Sequence, residues 1–119
     1  MTRWREHEKR ARSSSLFRGY RIVEQKASSS TGRRPDFFGI SRSNPRKRII
    51  GEAKYVRELS PQHVKQVRTY KGYPFFAQEA VIIVKKSTYV PDSVRRLAKE
   101  SNITIVRTRK RSWREMIFG

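Results

Sequence analysis

Apolar positions are sparse at the start of the chain and then fall into short blocks. From Thr2 to about Phe17, Trp4, Ala11, Leu16 and Phe17 are the apolar anchors of an Arg-rich, helix-permissive stretch. This predicts a basic N-terminal helix over residues 1–18 with a weak core face. Ser13, Ser14 and Ser15 blur its end, because serine side chains compete for backbone hydrogen bonds. After Gly19, Tyr20 to Ala27 alternates, with Tyr20 and Ile22 opposing Arg21 and Val23, which predicts a strand. Ser28 to Gly32 forms a polar loop. A second extended segment then opens at Pro35 and runs through Phe37, Phe38 and Ile40, and a third spans Arg46 to Val56. The turn at Ser43 to Pro45 lets these two pair as a hairpin.

Ser60 followed by Pro61 begins a helix that is predicted to end near Lys71, since proline is preset for the first helical position and Gly72 and Pro74 stop the run. Val81 to Val84 is an uninterrupted apolar block, the pattern of a central strand covered on both faces. Pro91 and Asp92 open another helix, with Val94, Leu97 and Ala98 at helical spacing, and Ile103 to Val106 returns as a strand. A last segment, residues 109–119, carries Trp113, Met116, Ile117 and Phe118 and is expected to cap the core or meet a second subunit. The order αβββαβαβ describes an α/β fold, a mixed central sheet flanked by helices. With 119 residues, one domain over residues 1–119 is expected.

Charge narrows the function. The chain holds 29 Lys plus Arg against 10 Asp plus Glu, a formal charge of +19, and no cysteine. Self-repulsion on this scale is relieved by a polyanion, and nucleic acid is the expected one. No basic amphipathic helix with an exposed apolar face points to a membrane surface, and no apolar run approaches the roughly 20 residues that cross a bilayer. The basic start Met1 to Arg12 is not followed by the apolar core of a signal peptide, so an intracellular, soluble chain is expected. A phosphate-cradling glycine loop and the constellation of a serine triad are both missing from the sequence.

Acids are scarce, so each is informative. Asp36 begins the second strand; Glu52 and Lys54 stand two apart on the third, which puts both on one face and turns Ala53 away. In a hairpin the Asp36 carboxylate approaches that pair. Two carboxylates and a main-chain carbonyl such as that of Ala53 supply the oxygen ligands that Mg²⁺ takes, with positions left for water and a phosphate oxygen. Lys54 is placed to orient an attacking water or to stabilise charge on the phosphorus centre. Taken alone, a Glu-x-Lys triplet on a strand is more often a solvated ion pair. Gln66 and Tyr70, four apart, share a helix face with Gln62, away from Val64 and Val67. His7 and His63 lack paired ligand spacing and are read as surface residues.

The run Arg34-Pro35-Asp36, followed by Gly51-Glu52-Ala53-Lys54 and by a helix with Gln66-x-x-x-Tyr70, resembles the signature of the PD-(D/E)XK nuclease superfamily, the restriction-endonuclease-like fold. The resemblance spans roughly Trp4 to Val106. It implies a Mg²⁺-dependent endonuclease, able to use Mn²⁺, in which Asp36, Glu52 and Ala53 hold the metal, Lys54 assists the water and Gln66 supports the site. Within the superfamily the size, basic character, serine loop and acid-bearing first helix look like archaeal and phage-type Holliday junction resolvases. That likeness adds Glu6 or Glu8 to the metal site, with Glu6 the choice, and brings Ser28, Ser29 or Ser30 to the DNA backbone. It further implies a homodimer acting on four-way junctions, in the cytoplasm with the nucleoid or in a host's cytoplasm if a virus encodes it. Ser29, Ser30, Arg33, Arg34, Lys65 and Arg68 are the candidate DNA contacts, guanidinium being suited to phosphate oxygens. Lys47, Arg48, Lys71, Arg107, Arg109, Lys110 and Arg111 are candidates to extend that basic surface. Tyr55, Tyr73 and Trp113 are either base-stacking or core aromatics. The Lys-Gly-Ser opening of the resolvases has no counterpart here. Two rival readings follow: a duplex-DNA endonuclease of the same fold, of homing, restriction or repair type, or a basic packing module that binds nucleic acid without cutting it.

Overall fold

The computed structural model describes residues 17–24, 34–72, 75–109 and 112–118. The expected N-terminal helix lies outside the described residues except for Phe17 and Arg18 at its end. Within the described residues the chain forms five strands, β1 (Tyr20–Glu24), β2 (Phe37–Ser41), β3 (Arg48–Ala53), β4 (Glu79–Lys85) and β5 (Ile103–Thr108). Three helices accompany them, α1 (Pro61–Tyr70), α2 (Asp92–Glu100) and α3 (Trp113–Phe118).

The strands form one sheet in the order β1-β2-β3-β4-β5. The first three are antiparallel and the last two pairings parallel, each parallel connection passing through a helix. Short turns permit antiparallel pairing, whereas a parallel return needs a longer crossover. This is the mixed sheet that the hydrophobic blocks predict. β4 lies between β3 and β5 with Ala80 to Val84 all buried, which accounts for its unbroken apolar run.

Alternation along β3 divides the core between the two faces. Ile50 joins Val64, Val67, Ile82, Val84, Val94 and Ala98 on the side covered by α1 and α2. Ile49 joins Phe17, Phe37, Val81, Ile83 and Trp113 on the other. There Trp113, at the start of α3, stacks on Phe37 with ring centroids 5.1 Å apart, and Phe17 meets the same ring edge-on at 5.5 Å. Trp113 is therefore a core residue, and its burial excludes it from base stacking in this conformation. Tyr55 packs against the same cluster, with the Lys85 ammonium over its ring. Tyr73 lies outside the described residues.

The Phe37 ring occupies the space beside Gly51, its partner across the hairpin, where any Cβ would run into the ring. Gly51→Ala should therefore lower the unfolding free energy by about 1–3 kcal/mol, the usual range for overpacking. Gly72→Ala, whose added methyl would meet only a backbone oxygen at 3.5 Å, should stay within about 0.5 kcal/mol of the parent. Urea unfolding of the two variants checks the difference.

Candidate active site

The β2–β3 register decides which acids meet. Phe37 pairs with Gly51 and Phe38 with Ile50, so one further step along the ladder sets Asp36 opposite Glu52. Directly opposed like charges on neighbouring strands repel, and a fold retains such a pair at a cost. Pro35, fully buried, anchors the approach to β2. Asp36 follows it half-buried, and its Oδ2 accepts the Ala53 N–H at 2.7 Å. That bond fixes the carboxylate against the end of β3.

Glu52 is 8% exposed, on the sheet face covered by α1 and α2. Its Oε2 is buried without a hydrogen-bond partner, and the Lys54 ammonium stands 3.6 Å from it. Burial pushes the Glu52 carboxyl up to about 7; Lys54 opposes that rise and the Asp36 charge adds to it. Lys54 follows β3, where its N–H donates to the Ile83 carbonyl at 2.8 Å, which continues the β3–β4 pairing past Ala53. Its ammonium donates to Gln66 Oε1 at 2.9 Å. The buried Val64 and Val67 fix the roll of α1, and that roll carries Gln66 to the end of the sheet.

Four of the expected site residues, Asp36, Glu52, Lys54 and Gln66, are thus brought together with the backbone of Ala53. Tyr70 is half-buried and packs against the core beneath α1. Lys65 and Arg68 are exposed on α1, and Arg34 is exposed one residue before Pro35. Glu6, Glu8, Ser28, Ser29, Ser30 and Arg33 lie outside the described residues. Among the described residues no group of three or more acidic or histidine side chains is gathered tightly enough to hold a metal ion. The acidic donors on hand are the two opposed carboxylates, hard oxygen ligands of the kind divalent cations take.

Several cations expected on the binding surface hold the fold instead. Arg48 donates to the carbonyls of Pro45 and Phe75, Lys71 to that of Ser101, and Arg107 to those of Lys85, Lys86 and Thr88. His63 also departs from expectation. It is half-buried, and its Nδ1 accepts the Ser60 N–H at 3.0 Å. This is the backward half of a capping box, with histidine where glutamate or glutamine is usual. The spacing Ser60-x-x-His63 carried that signal.

No protein-family model matches the chain, and no curated protein matches it. Among solved structures, a repair endonuclease from Pyrococcus abyssi matches with a TM-score of 0.56 at 13% identity. The chain has a nuclease-like fold. The match covers 82% of this chain and 41% of the neighbour, so this chain spans less than half of that protein.

In this nuclease-like fold the raised Glu52 carboxyl has a consequence for stability. A folded-state value of about 7 against an ordinary 4.5 means that ionisation of Glu52 takes nothing from stability while the group is protonated in both states. The cost grows as pH rises from 4.5 to 7 and reaches on the order of 3 kcal/mol above that. Glu52→Gln should therefore raise the melting temperature by several degrees at pH 8 in EDTA, with the gain vanishing toward pH 4. Thermal unfolding across that range measures it.

Proposed function

We propose that this chain is a Mg²⁺-dependent DNA endonuclease, acting through one nuclease domain over residues 1–119, and that its substrate is a branched DNA such as a four-way junction, cut by a homodimer. The observation that carries the reading is the convergence of Asp36, Glu52, Lys54 and Gln66 at the end of β3. Glu52 brings to it a buried carboxylate oxygen that has no hydrogen-bond partner. An orphaned, partly compensated carboxylate opposite a second one is expensive to maintain in a bare protein. A divalent cation would satisfy both. The neighbouring structure, itself a repair endonuclease, supports the nuclease reading at the level of fold. Four-way junctions as substrate, and a dimer, rest on the likeness to the resolvases.

In this reading Asp36, Glu52 and the Ala53 carbonyl hold the cation, with Glu6 contributed from the N-terminal segment. Bound there, a divalent cation would supply Lewis-acid stabilisation of the phosphoryl oxygens and would acidify water. Lys54 orients the attacking water and balances charge as the new phosphorus–oxygen bond forms and the bond to the leaving oxygen breaks. Gln66 holds the Lys54 ammonium at 2.9 Å and so keeps it beside Glu52 rather than in solvent. Arg33, Arg34, Lys65, Arg68, Ser29 and Ser30 contact the DNA backbone. The site of action is the nucleoid, or the host cytoplasm for a viral chain.

Labelled four-way junction and matching linear duplex, incubated with and without Mg²⁺, test the reading. Symmetric nicks near the branch are expected. Cutting at a fixed sequence in linear duplex would replace the junction substrate with a duplex one, and no cutting with Mg²⁺ or Mn²⁺ would favour a packing protein. Asp36→Asn and Glu52→Gln should each reduce cleavage by roughly 10³-fold while DNA affinity stays within a few-fold of wild type. Mg²⁺ should raise the melting temperature of the wild type and of neither variant. Lys54→Ala should lower kcat by more than it weakens binding; the reverse pattern would make Lys54 a simple phosphate contact.

A further inference from the structure

His63 lies three residues before Gln66 on α1, and the reaction outlined above gives it no task. Its ring is oriented from one side. The Ser60 N–H donates to Nδ1 at 3.0 Å, and the Ser60 hydroxyl lies 3.2 Å from the same nitrogen. A backbone N–H can only donate, so Nδ1 carries no proton, and a neutral ring must then bear its proton on Nε2. Nε2 stands on the far side of the ring from Nδ1 and so is not the nitrogen that the cap occupies. Partial burial, and then the Lys54 charge, hold the His63 pKa below its ordinary 6.5, which favours the neutral ring at pH 7.

Position gives this donor its use. His63 and Gln66 are three residues apart on α1 and hence neighbours on the helix surface, and Gln66 reaches Lys54, which stands 3.6 Å from Glu52. Lys65 and Arg68 are exposed on the other flank of the same helix. A phosphodiester held at Lys54 would lie on the flank of α1 that carries Gln66 and His63.

We propose that His63 is a substrate-positioning residue whose Nε2–H donates a hydrogen bond to a non-bridging phosphate oxygen of nucleic acid held beside Lys54, with the Ser60 amide fixing the tautomer that makes this possible. The inference rests on the nuclease reading for the identity of the ligand, and adds a neutral donor beside the Lys54 cation. A neutral donor orients a phosphate without adding a second positive charge next to Lys54.

The test separates this role from helix capping. Glutamine at position 63 accepts the Ser60 amide through Oε1 and keeps a neutral N–H donor, whereas methionine offers neither. His63→Gln should keep the wild-type melting temperature and bind a fluorescein-labelled four-way junction in EDTA within a few-fold of wild type. His63→Met should bind it about tenfold more weakly, and His63→Glu, which restores the cap without a donor, should bind it more weakly still. In His63→Met and His63→Glu, kcat/KM for Mg²⁺-dependent cleavage should fall through KM more than through kcat. Long-range ¹H–¹⁵N spectra, with the second histidine resolved by the His63→Gln variant, should show the Nε2–H form and a shift of that nitrogen on DNA addition. Wild-type affinity and turnover in His63→Met, or an Nδ1–H tautomer, would overturn the proposal while leaving cleavage by the wild type intact. Weakened DNA binding in His63→Met and His63→Glu, in a wild type that cuts nothing, would support the contact and defeat the nuclease reading instead.

Discussion

The candidate site depends on the hydrogen bond from the Ala53 backbone N–H to the Asp36 side-chain Oδ2 and on the hairpin register that produces it. A slip of one residue would carry Glu52 to the opposite face of the sheet, among Phe37 and Trp113, and would separate it from both Lys54's partner Gln66 and Asp36. Gly51 and Phe37 guard that register, because the Phe37 ring requires the absence of a side chain at its cross-strand neighbour. Packing on one face of the sheet thereby sets the spacing of charged groups on the other. The resulting pair of carboxylates is uncomfortable in an apo protein, and this discomfort is its chemical potential toward a cation.

The tether from Gln66 to Lys54 extends the same logic from the sheet to α1. The ammonium faces two acceptors, Gln66 Oε1 at 2.9 Å and Glu52 Oε2 at 3.6 Å, and it is the neutral amide that holds it more closely. Lys54 is thus kept near the carboxylate without being fully spent on it. The parallel crossover places α1 against β3 and β4, so helix, strand and loop meet at one edge of the molecule. Lys65 and Arg68 are exposed on the same helix.

Much of this was legible in the residues. Alternation in β2 and β3, the apolar run of β4 and the Ser60-Pro61 helix start each report a local preference that the tertiary structure reinforces, so the mixed sheet followed from them. Glu52 and Lys54 share a face because strand side chains repeat every two residues, and that holds wherever β3 happens to pack. Long-range partners left no comparable trace. Nothing in the neighbourhood of Arg48, Lys71 or Arg107 announces that their cations will be consumed by the carbonyls of Phe75, Ser101 and Thr88, which arrive from distant segments. Trp113 was ambiguous for the same reason, since stacking on Phe37 is decided by a contact across 76 positions of chain. His63 did carry a local signal, in a capping pattern with an unusual residue type.

The central claim is that hairpin register forces Glu52 into a buried position beside Asp36 where a divalent cation can relieve both. The most direct measurement is a ¹³C carboxyl titration of Glu52, followed by pH in metal-free protein and again in Mg²⁺. The account predicts a midpoint near 7 without metal, because burial and then the Asp36 charge disfavour the anion, and a fall back toward or below the ordinary 4.5 once Mg²⁺ is present. A Glu52 that titrates at 4.5 in both conditions, indifferent to Mg²⁺, would contradict it.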